Sequence, residues 1–219
     1  MTSATVTEVL LTGESMMSFA PNLMKEERDD LFDLLMQADG FASRAFDRQQ
    51  LWKSWMDRYR NRLEKHGCRP VSLITEPAQV VTSADQMQAC IASITGRVAT
   101  PLLARQVETT LKWVRDSQYA ERFFRAGEQE EGFSSFLSVP SEKTASGDIL
   151  LVVLGVNVTL SVETRDFDFW TSTRRDMVLR VVGGVYRFDR QVYDGYRQAI
   201  RADLRERALA QVVRIELER

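Results

Sequence analysis

The stretch "SGDILLVVLGVNVTLSVET", residues 146–164, decides how the chain is read. Its first part, "ILLVVL", is apolar at consecutive positions, which predicts a strand covered on both faces. After Gly155 the pattern alternates: Val156, Val158, Leu160 and Val162 fall on one face, and Asn157, Thr159 and Ser161 on the other. A period of two excludes a helix, because successive side chains of a strand point to opposite faces. Residues 149–162 would extend about 45 Å as a strand, at roughly 3.3 Å per residue. That exceeds the roughly 9–11 residues a tilted membrane strand needs. On the residues alone, the stretch is a central strand of a large sheet, broken or bent at Gly155.

Working outward, "FSSFLSV" (133–139) and "MVLRVVGGVYRF" (177–188) share the period and predict neighbouring strands. The turn-rich "PSEKTASGD" and the segment "ETRDFDFWTSTRRD" are the expected connections. Gly183 and Gly184 lack the spacing of any phosphate-binding loop and mark a bulge or bend in the third strand.

Upstream the period becomes helical. "VTEVLL" is a short first strand within about residues 5–12, and a helix begins near Pro21, with Leu31, Leu34 and Leu35 on one stripe. A second helix is expected after Gly40, with Trp52, Trp55, Met56, Tyr59 and Leu63 on one face, and Gly67 ends it. "RPVSLIT" predicts a strand. Ser83 or its neighbouring threonine then caps a helix carrying Met87, Cys90, Ile91 and Ile94. Thr100 and Pro101 open the next helix, through Leu103, Val107, Leu111 and Val114 to about Phe124, with a break near Asp116 and Ser117. A helix through Tyr193, Tyr196, Ile200 and Leu204 and a strand "VVRIEL" close the chain, within about residues 189–218. This order predicts one α+β domain over residues 1–219, an α/β three-layer arrangement with a central, largely antiparallel sheet of long strands wrapped by helical hairpins.

Composition excludes more function than it suggests. The net charge of −2 argues against a dedicated nucleic-acid binder, and the aromatic residues of "WKSWMDRYRNR" are the core stripe rather than a stacking platform. Residues 1–40 carry eight acidic against two basic side chains, which a solvated first helix explains. No apolar run reaches 18 residues, so no membrane-spanning helix is expected, and the start of the sequence shows no Sec-type signal peptide. Cys68 and Cys90 share no metal-binding spacing and read as two buried thiols in preference to the alternative, a disulfide. His66, the only histidine, stands where a cationic side chain would cap the exposed carbonyls of a helix end. "EERDD" and "EQEE" read as solvated carboxylate runs. No catalytic residue, metal site or cofactor follows from any of these, and the chain is predicted not to be an enzyme.

Three stretches carry a resemblance. "LFDLLMQADGFASRAF" (31–46) looks like the first apolar helix of the Cyt-type cytolytic delta-endotoxins. "SADQMQACIASITGRVATPLLARQVETTLKWV" (83–114) is similar to that family's second helical pair, and "FLSVPSEKTASGDILLVVLGVNVTLSVETRDFDFW" (136–170) to its run of long strands. The likeness, shared more distantly with the fungal volvatoxins, covers most of residues 5–188 as order and pattern. It implies a protein that binds membrane lipids directly and oligomerises. In that case the membrane-active strands would present Ile149, Leu151, Val153, Val156, Val158, Leu160, Val162, Leu179, Val181 and Val185. The first strand, with Val6, Val9 and Leu11, would correspond to the family's dimerisation strand. Arg180 and Arg187 depart from the expectation, because an arginine facing lipid near mid-bilayer costs roughly 2–4 kcal/mol; they would have to face a lumen. The alternative is a non-enzymatic interaction module, such as an adaptor, immunity protein or apolar-ligand carrier, that shares the fold without lytic activity.

Overall fold

A computed structural model describes residues 8–120, 123, 132–167, 170–206 and 212–216. Two short strands, β1 (Glu8–Thr12) and β2 (Ser15–Phe19), lead into α1 (Lys25–Ser43) and α2 (Trp52–Lys65). After β3 (Cys68–Thr75) and β4 (Gln79–Val81) come α3 (Ala84–Val98) and α4 (Pro101–Arg115). Three long strands follow: β5 (Gly132–Lys143), β6 (Ile149–Phe167) and β7 (Trp170–Phe188). The helices α5 (Arg190–Asp194) and α6 (Arg197–Glu206) precede β8 (Val212–Glu216).

The strands form one sheet in the order β3-β7-β6-β5-β2-β1-β8, with β4 lying beside β7. Among the described residues only β2 and β5 run parallel; the other pairs are antiparallel. Helices cover both faces, as expected for an apolar sheet. One core joins the sheet to α3 and α4 through Met87, Ile91, Ile94, Leu103, Val107 and Leu111. The other joins it to α1 and α2 through Leu31, Leu34, Leu35, Trp55, Met56 and Tyr59, and Tyr193 and Ile200 bring α5 and α6 to that side.

The helix starts follow local chemistry. The Ser83 hydroxyl accepts from the Gln86 N–H, and the Thr100 hydroxyl from the Leu103 N–H ahead of Pro101, so orphan amides of both first turns are satisfied. Other expectations change. Instead of ending at Gly40, α1 runs through it to Ser43 because its buried stripe continues to Ala38 and Ala42. The α4 helix ends at Arg115, and Asp116 is its C-cap. In the supposed connection "ETRDFDFWTSTRRD", residues 163–167 and 170–176 are strand, paired out to Phe167 opposite Trp170. "PSEK" belongs to β5.

Gly155 does not break β6. Its pairing with β7 is continuous from Ile149 to Phe167. A Cβ at Gly155 would stand 2.8 Å from the Trp52 ring and 2.9 Å from the Met56 sulfur, so the glycine makes room for α2 on the sheet. Gly183 has a similar function toward the next strand: its φ is +142° and a Cβ there would overlap the Val153 carbonyl oxygen. The bulge expected in β7 lies in β3 instead, where the register shifts between Pro70 and Ser72.

Candidate functional site

Strand parity divides the residues predicted to be membrane-active between the two faces. Ile149, Leu151 and Val153 are buried beneath α1 and α2, whereas Val156, Val158, Leu179, Val181 and Val185 are buried beneath α3 and α4. Leu160 and Val162 belong to β6, but their side chains lie outside the described residues. The faces become unequal past Gly155. Asn157 and Ser135 are paired across β6 and β5, and the Ser135 hydroxyl donates to Gln49 Oε1 at 3.1 Å. Beyond them Arg180 is exposed and donates to the Thr159 hydroxyl at 3.5 Å. The alternation read from the sequence therefore corresponds to the end of the α1–α2 cover.

Val9 and Leu11 are wholly buried in the core beneath α3 and α4; Val6 lies outside the described residues. Both hydrogen-bonding edges of β1 are used within the chain, one by β2 and the other by β8.

The acidic run of α1 corrects the sequence reading. "EERDD" is not uniformly solvated: Glu27 and Asp30 are 3% and 1% exposed. Lys143 Nζ donates to Glu27 at 2.6 Å, joining α1 to β5. Arg190 donates through Nε and Nη2 to Asp30 Oδ2 at 3.1 and 2.7 Å, and Arg197 to Oδ1 and Oδ2 at 2.8 and 2.7 Å. Arg201 bonds Asp33 at 2.8 Å and reaches Asp30 at 3.5 Å. Burial pushes the Asp30 carboxyl up, but the Arg197 and Arg190 hydrogen bonds and charges outweigh it and hold the group below its ordinary range. For Asp33 burial wins over Arg201, and the carboxyl sits above that range. At the other end of α1, the buried Arg48 donates to the Ser15 hydroxyl at 3.1 Å and the Glu14 carbonyl at 3.0 Å, lies 3.5 Å from Asp39, and stacks 4.4 Å over the Trp55 ring. One signal was available in the sequence: Glu27, Asp30, Leu31 and Leu34 share the buried stripe at helical spacing.

The opposite cover is tied down differently. The α3–α4 pair meets the sheet mainly through apolar side chains, with polar ties at its margins. They include Ser72 Oγ to the Val98 carbonyl at 3.3 Å, Cys90 Sγ to Gln79 Oε1 of β4 at 3.0 Å, Thr100 Oγ1 to Glu142 at 2.5 Å, and Arg97 to Glu76 at 3.1 Å.

Neither His66 nor the cysteines are poised for nucleophilic chemistry. His66 is the C-cap residue of α2 but not a cationic cap: burial, then Arg62 and Lys65, pull its pKa down to about 4, and its ring packs 4.7 Å from that of Tyr196. Cys68 and Cys90 are both free thiols, and burial pushes each pKa upward. Cys68 is buried as expected, but Cys90 is only half-buried. Among the described residues no group of three His, Cys, Asp or Glu could hold a metal ion, and no helix is long and apolar enough to cross a membrane.

No family profile and no curated protein matches the sequence. Among solved structures, the chain is similar to one described as a delta-endotoxin, with 15% identity over 81% of this chain and 84% of that one and a TM-score of 0.45. It is also similar to the Evf virulence factor, with 10% identity over 90% of this chain and 82% of that one and a TM-score of 0.36.

Proposed function

We propose that the protein acts on lipid bilayers without catalytic chemistry, by separating a helical cover from its sheet and self-associating through the uncovered strands. The observation that carries this reading is the β6–β7 hairpin. Each strand has 19 residues, about 60 Å of chain at roughly 3.3 Å per residue, against a hydrocarbon layer of about 30 Å. Its buried half is apolar on both faces. Past Gly155 one face stays apolar while the other carries Asn157, Thr159 and Arg180, the two-sided character a lumen and a lipid contact require. Backbone groups left unpaired in lipid are costly, so insertion demands strand pairing between copies.

In this proposal α3 and α4 leave first, because they give up apolar contacts that lipid can replace, whereas α1 would have to surrender the Asp30 and Glu27 ion pairs. Dimerisation through β1 would proceed by displacement of β8 from its edge. The test is dye release from liposomes, with and without limited proteolysis, alongside lipid co-sedimentation. Release that depends on protein concentration above first order supports the reading. Absence of both release and co-sedimentation under every condition refutes it.

A second reading, an interaction module that keeps its covers closed, is favoured by the outer strand. Val71 and Leu73 on β3 and Val80 on β4 are 62%, 48% and 62% exposed beside the terminal edge of the sheet. That edge suits strand addition by a protein partner.

A further inference from the structure

The helix α2 turns its aromatic stripe inward, but its outer side meets the end of α1 in a basic cleft that the sheet reading leaves without a role. Phe41 is the centre of this cleft. The guanidinium carbons of Arg58 and Arg62 each lie 4.3 Å from its ring centroid, and that of Arg44 lies 5.9 Å away. The cleft has a volume of about 440 Å³, with Asn61, Lys65 and Asp57 also on its wall. A second hollow of about 290 Å³ adjoins it across Phe41, Arg62 and Lys65. Volumes of about 300–1,000 Å³ are usual for small-molecule sites.

Charge is unbalanced here. Arg44 is answered by Asp203 at 4.0 Å, and Arg62, whose Nε donates to the Gln37 side-chain oxygen at 2.9 Å, is engaged as well, so the imbalance lies at Arg58 and Lys65. Among the described residues, no carboxylate pairs with Arg58 or Lys65. Residues 58, 62 and 65 follow one helical stripe, so three cations line the same opening, with Asp57 also on the wall. Like charges held together at an open cleft favour an anion, and guanidinium groups match the geometry of phosphate oxygens.

We propose that the cleft between α1 and α2 binds a phosphate group, held by Arg58 and Lys65 beside the engaged Arg62, with Phe41 packing against the group that bears it. The phosphate could be the monoester headgroup of a lipid such as phosphatidic acid or a free phosphomonoester, and both present the same dianionic oxygens. The site is formed with the covers closed and does not rest on the bilayer-acting reading.

The test uses the full chain. Glycerol 3-phosphate is the soluble probe, read by calorimetry; the vesicle probes are phosphatidylcholine alone and phosphatidylcholine with phosphatidic acid, read by co-sedimentation. Leakage is not scored, so failure of cover release leaves the result intact. The double variant R58Q/K65Q is compared with K25Q/K112Q, which removes the same charge from exposed positions away from the cleft. Arg58 and Lys65 are exposed, so the fold should survive, checked by circular dichroism. The cleft variant should lose about tenfold or more in affinity, as expected when charge-assisted hydrogen bonds are removed, and the control pair about twofold or less. Wild-type binding to both probes supports a site open to either source. Binding to phosphatidic acid vesicles alone assigns the headgroup, and binding to glycerol 3-phosphate alone assigns a soluble ligand. Failure of the wild type to bind either probe overturns the proposal. So does an equal loss in the two double variants, which would indicate diffuse surface charge.

Discussion

His66 offers a sharp test of the packing between α2 and α6, because it is the only histidine in the chain. The ring is 3% exposed, and Nδ1 meets no hydrogen-bond partner among the described residues. Burial, then the Arg62 and Lys65 charges, lower its pKa from 6.5 to about 4. Asp203 lines the same hollow but is engaged by Arg44 and Gln37. Between these pKa values the unfolded chain binds a proton that the folded chain refuses. Stability due to this group is therefore complete above about pH 6.5 and is lost progressively as the pH falls to about 4. The interval corresponds to about 3 kcal/mol, at 1.36 kcal/mol per unit of pKa. Urea unfolding of wild type and His66→Gln across that range isolates the effect, since the carboxylates common to both cancel. The wild-type advantage should shrink by about 3 kcal/mol from about pH 7 to about pH 4. The single imidazole resonance should titrate near the lower value. A midpoint close to 6.5 in the folded protein, or parallel stability curves, would show that the ring is not packed as described.

Asp30→Asn should destabilise the protein by about 1–3 kcal/mol in urea unfolding, because the Arg190 and Arg197 guanidinium groups lose their shared buried carboxylate, although both are partly solvated and Arg197 keeps Asp194. Faster amide exchange in α5 and α6 should accompany it, and unchanged exchange there would count against the clasp. Gly155→Val drives a side chain into Trp52 and Met56 and should cost about 1–3 kcal/mol, with a red-shifted tryptophan emission reporting the displaced indole. A thiol reagent should label half-buried Cys90 on α3 ahead of buried Cys68, and liposomes should accelerate the Cys90 reaction if α3 and α4 leave the sheet. Equal labelling with and without lipid would contradict that order of release.

Several elements were legible because their signals are local. The Trp52 to Leu63 stripe, the Ser83 and Thr100 caps and the alternation of β6 all depend on residues within one or two turns of each other. By contrast β2, "SMMSF", contains no β-branched residue and is buried throughout, so neither propensity nor alternation marks it. It is a strand because β1 and β5 flank it. Gly40 resembled a helix stop, but the apolar stripe on either side of it carried α1 through.

The candidate site shows the same division. Which residues of β6 and β7 are apolar, and that both faces need covers, followed from composition and period. Which cover each residue meets did not, because parity relative to the sheet is a property of the assembled layers. Asp30 and Arg190 are separated by 160 positions in the chain, as Phe41 and Arg58 are by a turn between helices. A carboxylate in "EERDD" looks solvated until α5 and α6 close over it. By itself the sequence determined a helix-wrapped sheet built around one long apolar strand, through periodicity that acts over a few residues. Only the tertiary structure decided which charges are buried and paired and which cations gather at an open cleft, since burial and Coulomb energy depend on distance in space.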